Sequence, residues 1–244
     1  MRKVFLIFTI SAFTVFSFAG CLGKKASTTN GDSQSLFSSM SDTILWMSNR
    51  SNFFPAAGWT FQDGELTLSA GRKGGDLITR KQYKDFELSL EFKLTKMVNS
   101  GVKYFVNQMT DKSNGKTGWI GFEYQIIDDF SGNEIPAYEG VKGSTGALYL
   151  IYEPDSDKKI LKPVGEWNSM RIVVDGKKVE HWLNGKKVVD VEIDSDDFRR
   201  RVSETKFANY DDYGKMKGGH ILLQDHGNEI SYRNIVINDK SKNN

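Results

Sequence analysis

The chain has 244 residues, 33 basic side chains against 31 acidic ones, and a single cysteine. Charge this close to balance excludes the basic surface that a nucleic-acid partner requires to displace counterions, and one cysteine excludes an internal disulfide framework. The first twenty residues read as a unit of their own. Arg2 and Lys3 precede an apolar run, Val4 to Phe18, broken only by Thr9, Ser11, Thr14 and Ser17, and the small pair Ala19-Gly20 comes directly before Cys21. Small side chains at a cleavage point mark an export signal rather than part of the fold, and the run is too short and too rich in hydroxyls for a transmembrane helix. Without the two basic residues of that signal the chain carries 31 charges of each sign. It then has no polybasic route to a membrane.

The Ala19-Gly20-Cys21 ending resembles the lipobox of bacterial lipoproteins, in which the cysteine is lipidated and becomes the first residue. An ordinary secretory signal followed by a chance cysteine is the alternative; lipidation accounts for a lone thiol in an exported chain. Residues 21–41 are rich in Ser, Thr, Asn and Gly and are expected to be a flexible tether. Residues 42–240 are expected to be a single domain. Leu22-Gly23-Lys24-Lys25 carries no acid. Some Bacteroidetes surface lipoproteins have acidic residues at that place, so this sequence favours a lipid-anchored envelope protein that faces the periplasm.

From Trp59 onward the pattern is of strands separated by turns. Asp63-Gly64 sits between two alternating stretches, a strong hairpin signal. Phe86, Leu88, Leu90, Phe92 and Leu94 alternate with Glu87, Ser89, Glu91 and Lys93. Further strands are predicted over 102–107, 121–128, 147–152, 167–175 and 178–183. The last of these runs into Asn184-Gly185, the preferred pair of a type I′ turn, and a strand returns over 186–193. Strands over 220–224 and 230–237 close the chain, and the last pairs with one near the start. Helices should be few; residues 194–210 hold one short one. Many short strands with one polar and one apolar face predict an all-β, two-sheet sandwich, and the lack of a fixed period disfavours a propeller or solenoid.

No generic catalytic motif, phosphate loop or dinucleotide fingerprint is present, so no cofactor is expected. Gly71 to Gly75 is glycine-rich but reads as a plain loop. On 121–128, period two sends Phe122, Tyr124 and Ile126 to one layer and Glu123 and Gln125 to the other. A solvated face is the ordinary reading of such polar residues. Ile127 on the same face and Trp119 just before it favour a cleft, in which the carboxyl is pushed up. Asp128 joins them only if a bulge shifts the phase. On 102–107, Lys103, Phe105 and Asn107 share a face, so Lys103 either reaches Glu123 or is a surface lysine. Gln224 and His226 share a face near the end of 220–224. His226, in Asp225-His226-Gly227, is either a turn residue or a site residue. His181 alternates with Val179 and Leu183 and reads as a core histidine. Glu123, Asp128 and His226 are metal-ligand types, but no short ligand spacing supports them, and no metal site is expected.

Several segments in order resemble the 3-keto-glucoside 1,2-lyase/3-keto-2-hydroxy-glucal hydratase family, also called 3-keto-disaccharide hydrolases: Gly74-Gly75-Asp76-Leu77-Ile78-Thr79, Asn99-Ser100-Gly101-Val102-Lys103-Tyr104, Phe122-Glu123-Tyr124-Gln125, Gly146-Ala147-Leu148-Tyr149, Gly165-Glu166-Trp167-Asn168, Glu180-His181-Trp182-Leu183-Asn184-Gly185 and Leu223-Gln224-Asp225-His226-Gly227. The resemblance spans roughly residues 42–238. It implies a concanavalin-A-like jelly roll and cleavage of glycosides oxidised at C3. A base removes the acidified C2 proton, the enolate is stabilised, the C1 substituent leaves, and water then adds. A separate glycoside 3-oxidoreductase supplies the substrate. On that chemistry Glu123 is the base, Lys103 the oxyanion partner and His226 the acid, with Gln125, Asp128, Trp119, Tyr149, Tyr152 and Gln224 binding substrate. Glu123 and Asp128 stand about 16 Å apart in an extended strand, so they do not form the close pair of a retaining glycosidase. The alternative is a non-catalytic carbohydrate-binding jelly roll with Trp119, Tyr149 and Tyr152 as its aromatic platform.

The lipobox reading has a direct check. Cys21→Ser is expected to release the protein into the soluble fraction or to leave the signal uncleaved. A membrane-bound, normally processed variant, seen by fractionation and blotting, contradicts it.

Overall fold

Thirteen strands and one α-helix lie along residues 32–241, the span described by the computed structural model apart from Arg72 and Ala137. They are β1 (Asp32–Phe37), β2 (Trp46–Ser48), β3 (Trp59–Gln62), β4 (Glu65–Leu68), β5 (Leu77–Thr79), β6 (Phe86–Lys93), β7 (Asn99–Thr110), β8 (Thr117–Ile127), β9 (Trp167–Asp175), β10 (Lys178–Leu183), β11 (Lys186–Glu192), α1 (Asp196–Ser203), β12 (His220–Leu223) and β13 (Ile230–Asp239). The export signal, Cys21 and the first part of the expected tether lie outside the described residues.

Every pairing is antiparallel, and the strands form two sheets. The larger runs β11-β10-β9-β6-β13-β4-β3, with β1 also on β13; the smaller runs β2-β5-β12-β7-β8. One edge of β13 is shared: Ile230 to Tyr232 pair with β4, and Ile235 to Asp239 pair with β1. Its other edge pairs with β6. The result is a two-sheet jelly-roll sandwich with few short helices.

The core follows from period two. Phe86, Leu88, Leu90 and Phe92 of β6 face Tyr104 of β7 and Phe122, Tyr124 and Ile126 of β8 within one buried cluster. The Asp63-Gly64 and Asn184-Gly185 turns close the β3–β4 and β10–β11 hairpins, with Asp63, Gly64, Asn184 and Gly185 all at positive φ. The helix α1 starts at Ser195, whose side chain accepts from Phe198 N, and it buries Phe198 and Val202.

Three expectations change. The tether ends sooner than expected, because β1 occupies residues 32–37 and buries Leu36 and Phe37; pairing with β13 overrides a polar composition that contains only those two anchors. Residues 147–152 form no strand. They turn back at Leu150 (φ 65°) and bond the outer edge of β8, with Gln125 N donating to Ala147 O and Tyr149 N to Glu123 O. That cap removes an open sheet edge. On β7 the alternation breaks at Phe105, which sits at φ 53° in a bulge between Tyr104 and Asn107. Phe105 therefore turns into the core beside Phe86 and Phe122 and does not share the face of Lys103.

His181 lies in the core, as its alternation predicts. It is fully buried, and its ring nitrogens meet Tyr104 Oη at 2.9 Å and Gly146 O at 3.1 Å. Burial pushes the imidazole down to about 4, against about 6.5 in an unfolded chain. The unfolded chain therefore takes up the proton first as pH falls. Stability from the neutral ring is complete above about pH 6.5 and is lost progressively as pH falls to about 4. Unfolding free energy is expected to drop by up to about 3 kcal/mol over that window. Denaturant melts of the native protein and His181→Gln should differ in pH slope there.

Candidate active site

The face of the smaller sheet turned away from the core carries a cavity of about 810 Å³. Its floor is β7, β8 and the end of β12. Because Phe122, Tyr124 and Ile126 point into the core, Glu123 and Gln125 rise on the cavity side. Antiparallel register sets Lys103 opposite Glu123 and Gly101 opposite Gln125. The strand β12 pairs Leu222 with Lys103 and ends at Leu223, which delivers Gln224 to the same floor. Gln224 N donates to Gly101 O at 3.0 Å.

Glu123 is only 6% exposed. Its Oε2 is 3.8 Å from Lys103 Nζ and accepts from Gln224 Nε2 at 3.1 Å. Burial pushes the carboxyl above its ordinary value; Lys103, Lys206 and the Gln224 hydrogen bond oppose this and Asp76 adds to it. The space around the carboxylate exists because residue 101 is glycine. A Cβ there would lie 2.5 Å from Gln224 Oε1 and 2.9 Å from Glu123 Oε1.

Two amide oxygens in this cavity lack partners. Gln125 donates to Asn99 Oδ1 at 2.9 Å, but its Oε1 accepts nothing; nor does Gln224 Oε1. Each unpaired buried acceptor costs about 1–3 kcal/mol, a cost that a bound hydroxyl or amide donor removes. Ile135, Pro136 and Tyr149 line it together with Lys206, Phe207 and Tyr210, just after α1, the Tyr149 and Phe207 rings meeting edge-on at 6.4 Å; exposed His226 and half-buried Asn228 complete the lining. The Lys206 ammonium lies 4.9 Å from the centre of the Tyr149 ring and 5.6 Å from that of Phe207.

Glu123, Lys103, His226, Gln125, Tyr149 and Gln224 thus line one cavity. Three expected residues do not. Asp128 closes its own turn, accepting from Met97 N at 2.9 Å, Phe130 N at 3.1 Å and Ser131 Oγ at 2.6 Å. Burial opposes its ionisation, but these donors outweigh it and hold the carboxyl low. Trp119 packs beside the small cluster of Ile78, Val106 and Leu222, edge-on to His220. Tyr152 donates to Asp197 at 2.7 Å and lies under the Arg201 guanidinium. Among the described residues, no group of three or more His, Cys, Asp or Glu is placed to hold a metal ion.

Residues that sequence reasoning missed include Gly101, Asn99 and Lys206. A glycine inside a strand signals close approach by another group, so Gly101 carried a readable clue. Lys206 carried none, because only the return of the chain after α1 brings it over Tyr149.

The cavity on this sheet face thus gathers a buried carboxylate, a lysine and two amide oxygens that accept from no protein group, in a jelly-roll sandwich. The chain belongs to the family described as the 3-keto-alpha-glucoside-1,2-lyase-like domain, whose profile matches residues 32–238. It is similar to a 3-keto-disaccharide hydrolase of Bacteroides thetaiotaomicron, 27% identical over 203 residues that cover 73% of this chain and 69% of that protein. Two crystal structures from Parabacteroides distasonis, both provisionally named glycosyl hydrolases, are also similar. One has 28% identity and a TM-score of 0.67, covering 80% of this chain and 88% of its own. The other has 29% identity and a TM-score of 0.56, covering 80% and 98%.

Gly101→Ala tests how this floor is built. The new methyl is expected to push the Glu123 and Gln224 side chains apart while the fold survives, since both contacts are side-chain ends. A crystal structure should show the Gln224–Glu123 hydrogen bond broken. Activity housed in the cavity is expected to fall at least about tenfold, with the thermal midpoint little changed.

Proposed function

We propose that this protein cleaves 3-keto-glycosides by removing the C2 proton and eliminating the C1 substituent, and that water then adds back for net hydrolysis. The observation that carries the reading is Glu123: a buried carboxylate facing Lys103 at 3.8 Å, with two unpartnered amide oxygens in the same cavity. Membership of the family and the name of the Bacteroides relative support the substrate class.

The residues divide the work as follows. A ketone at C3 makes the C2–H acidic. Glu123 takes that proton, and the C–H electron pair passes into an enolate whose oxygen Lys103 stabilises. The pair then expels the C1 substituent as the C1–O bond breaks, and His226 gives the leaving oxygen its proton. Water adds at C1 and gives its proton to the now neutral His226, Glu123 returns the proton to C2, and the 3-keto sugar is released. Gln125 and Gln224 accept hydrogen bonds from sugar hydroxyls, and Tyr149 forms part of the wall. One base suffices for this route, and two other acids near Glu123 are engaged in their own turns, while Glu139 also lines the cavity. Asp128 closes its turn, and Asp111 closes another through Ser113 and Asn114.

The substrate must come from a separate glycoside 3-oxidoreductase, since the reaction as written neither oxidises nor reduces. The export signal and Cys21 support a lipid-anchored envelope location facing the periplasm. Among the described residues no helix is long and apolar enough to cross a membrane.

Glu123→Gln keeps the shape and deletes the base. Turnover of 3-keto-glucosides is expected to fall about a hundred- to ten-thousand-fold, with substrate affinity changed much less. In the native enzyme the acid limb of kcat/KM should lie above the ordinary carboxylate value of 4.5, because the base must ionise from a raised starting point. In heavy water, deuterium should appear at C2. Native turnover in the variant, or equal cleavage of unoxidised glucosides, contradicts the proposal. Tight sugar binding without any turnover by the native protein favours the carbohydrate-binding alternative.

A further inference from the structure

The turn that presents His226 is fastened to neighbouring loops on both sides: Gly71 N donates to Gly227 O at 3.0 Å on the far side, and the near side meets Asp76. Asp225 N donates to Asp76 Oδ1 at 2.8 Å, and Gly75 N donates back to Asp225 Oδ2 at 2.9 Å. Two neighbouring aspartates thus trade backbone hydrogen bonds across two loops that are distant in sequence. The second oxygen of each is also engaged: Asp76 Oδ2 accepts from Asn49 Nδ2 at 3.0 Å, and Asp225 Oδ1 from Gly227 N at 2.9 Å. Gly75 is held in turn by Trp59, whose Nε1 donates to Gly75 O at 2.8 Å. Gly75 sits at φ 70°, and a Cβ there would lie 2.5 Å from Asn49 Oδ1. The fastening is therefore built into a position that tolerates little but glycine.

From this geometry we infer that Asp76 is a positioning residue of the site: its carboxylate holds the backbone at Asp225, and with it His226, in the lining of the cavity that contains Glu123. The inference rests on the catalytic reading of that cavity. Gln224 is anchored separately through Gly101 O and Gly227 through Gly71 N, so what Asp76 holds is the backbone at Asp225, next to His226. Asp76 also faces the active charges. Burial pushes its carboxyl up, the Asp225 N–H and the Lys103 ammonium pull it down, and Asp76 in turn acts on Glu123. Around Glu123 stand Lys103 from β7, Lys206 from the segment after α1, Asp76 just before β5, and the Tyr149 and Tyr213 hydroxyls, both of which feel its charge. Lys103 thus acts on two carboxylates.

Two variants separate charge from fastening. Asp76→Asn retains an oxygen that accepts from Asp225 N but has no charge; Asp76→Ala has neither. Hydrogen exchange of residues 224–228 in the ligand-free protein reads the fastening directly, and kinetics on a 3-keto-glucoside read its effect. Asp76→Ala is expected to lose amide protection at Asp225 and about a hundredfold in kcat, with a near-native thermal midpoint. Asp76→Asn should keep that protection and a near-native kcat, while the acid limb of kcat/KM moves to lower pH as Glu123 loses a repelling neighbour. Native protection or native kcat in Asp76→Ala overturns the inference. If that variant does not fold, Asp76→Ser, whose hydroxyl is one bond too short for Asp225 N, takes its place with the same readouts, and native protection at Asp225 or native kcat in it overturns the inference. Should the native protein turn over no 3-keto-glycoside, the proposed function fails, while exchange still decides whether Asp76 holds the turn.

Discussion

The antiparallel register between β7 and β8 is the constraint on which the site depends. It sets Lys103 across from Glu123 and Gly101 across from Gln125, so one ladder fixes the acid, its counter-ion and the gap between them. A slip of one residue would send Glu123 into the aromatic core and Phe122 into the cavity. The register is held from both sides. Inward, Tyr104, Phe122 and Tyr124 lock into the core, with Tyr104 and Tyr124 packed on the His181 ring. Outward, residues 145–149 bond along the free edge of β8. The site is rigid because its strands are paired or capped on every side.

That rigidity has an electrostatic purpose. A carboxylate in water needs no help to stay ionised and is a weak base. Glu123 is removed from water, which strengthens it as a base, and retains enough of the Lys103 and Lys206 fields to ionise. The amide oxygens of Gln125 and Gln224 accept from no protein group, and their nitrogens fix them in place by donating to Asn99 and Glu123.

How much of this was legible depends on the range of the interaction. The inward and outward sets on β8 follow from period two and were readable from residues 121–128 alone. The hairpins at Asp63-Gly64 and Asn184-Gly185 were readable because I′-type turns demand those residues. Interactions set by distant pairing were not. Nothing local says that Phe105 breaks phase, since its neighbours alternate cleanly; the break shows only in the pairing with β8, where the register shifts between Tyr104 and Asn107. Asp128 looked like a site acid by residue type, yet three donors within its own turn and at Met97 claim it first. The strand β1 was hidden because its Ser and Gln residues resemble a linker until β13 supplies a partner. The family resemblance filled part of this gap, since the order of its motifs encodes long-range pairing that composition and periodicity do not.

The shared edge of β13 bears on how the chain acquires its structure. The last ten-residue strand pairs with β1, β4 and β6, all from the first half of the described chain. The larger sheet therefore lacks its middle until the C-terminal segment is available, and these contacts close loops of well over a hundred residues. Such closure is entropically costly and slow. A chain emerging N-terminus first can pair β6, β9, β10 and β11 with one another, but β1 and β4 join them only once residues 230–239 have been made.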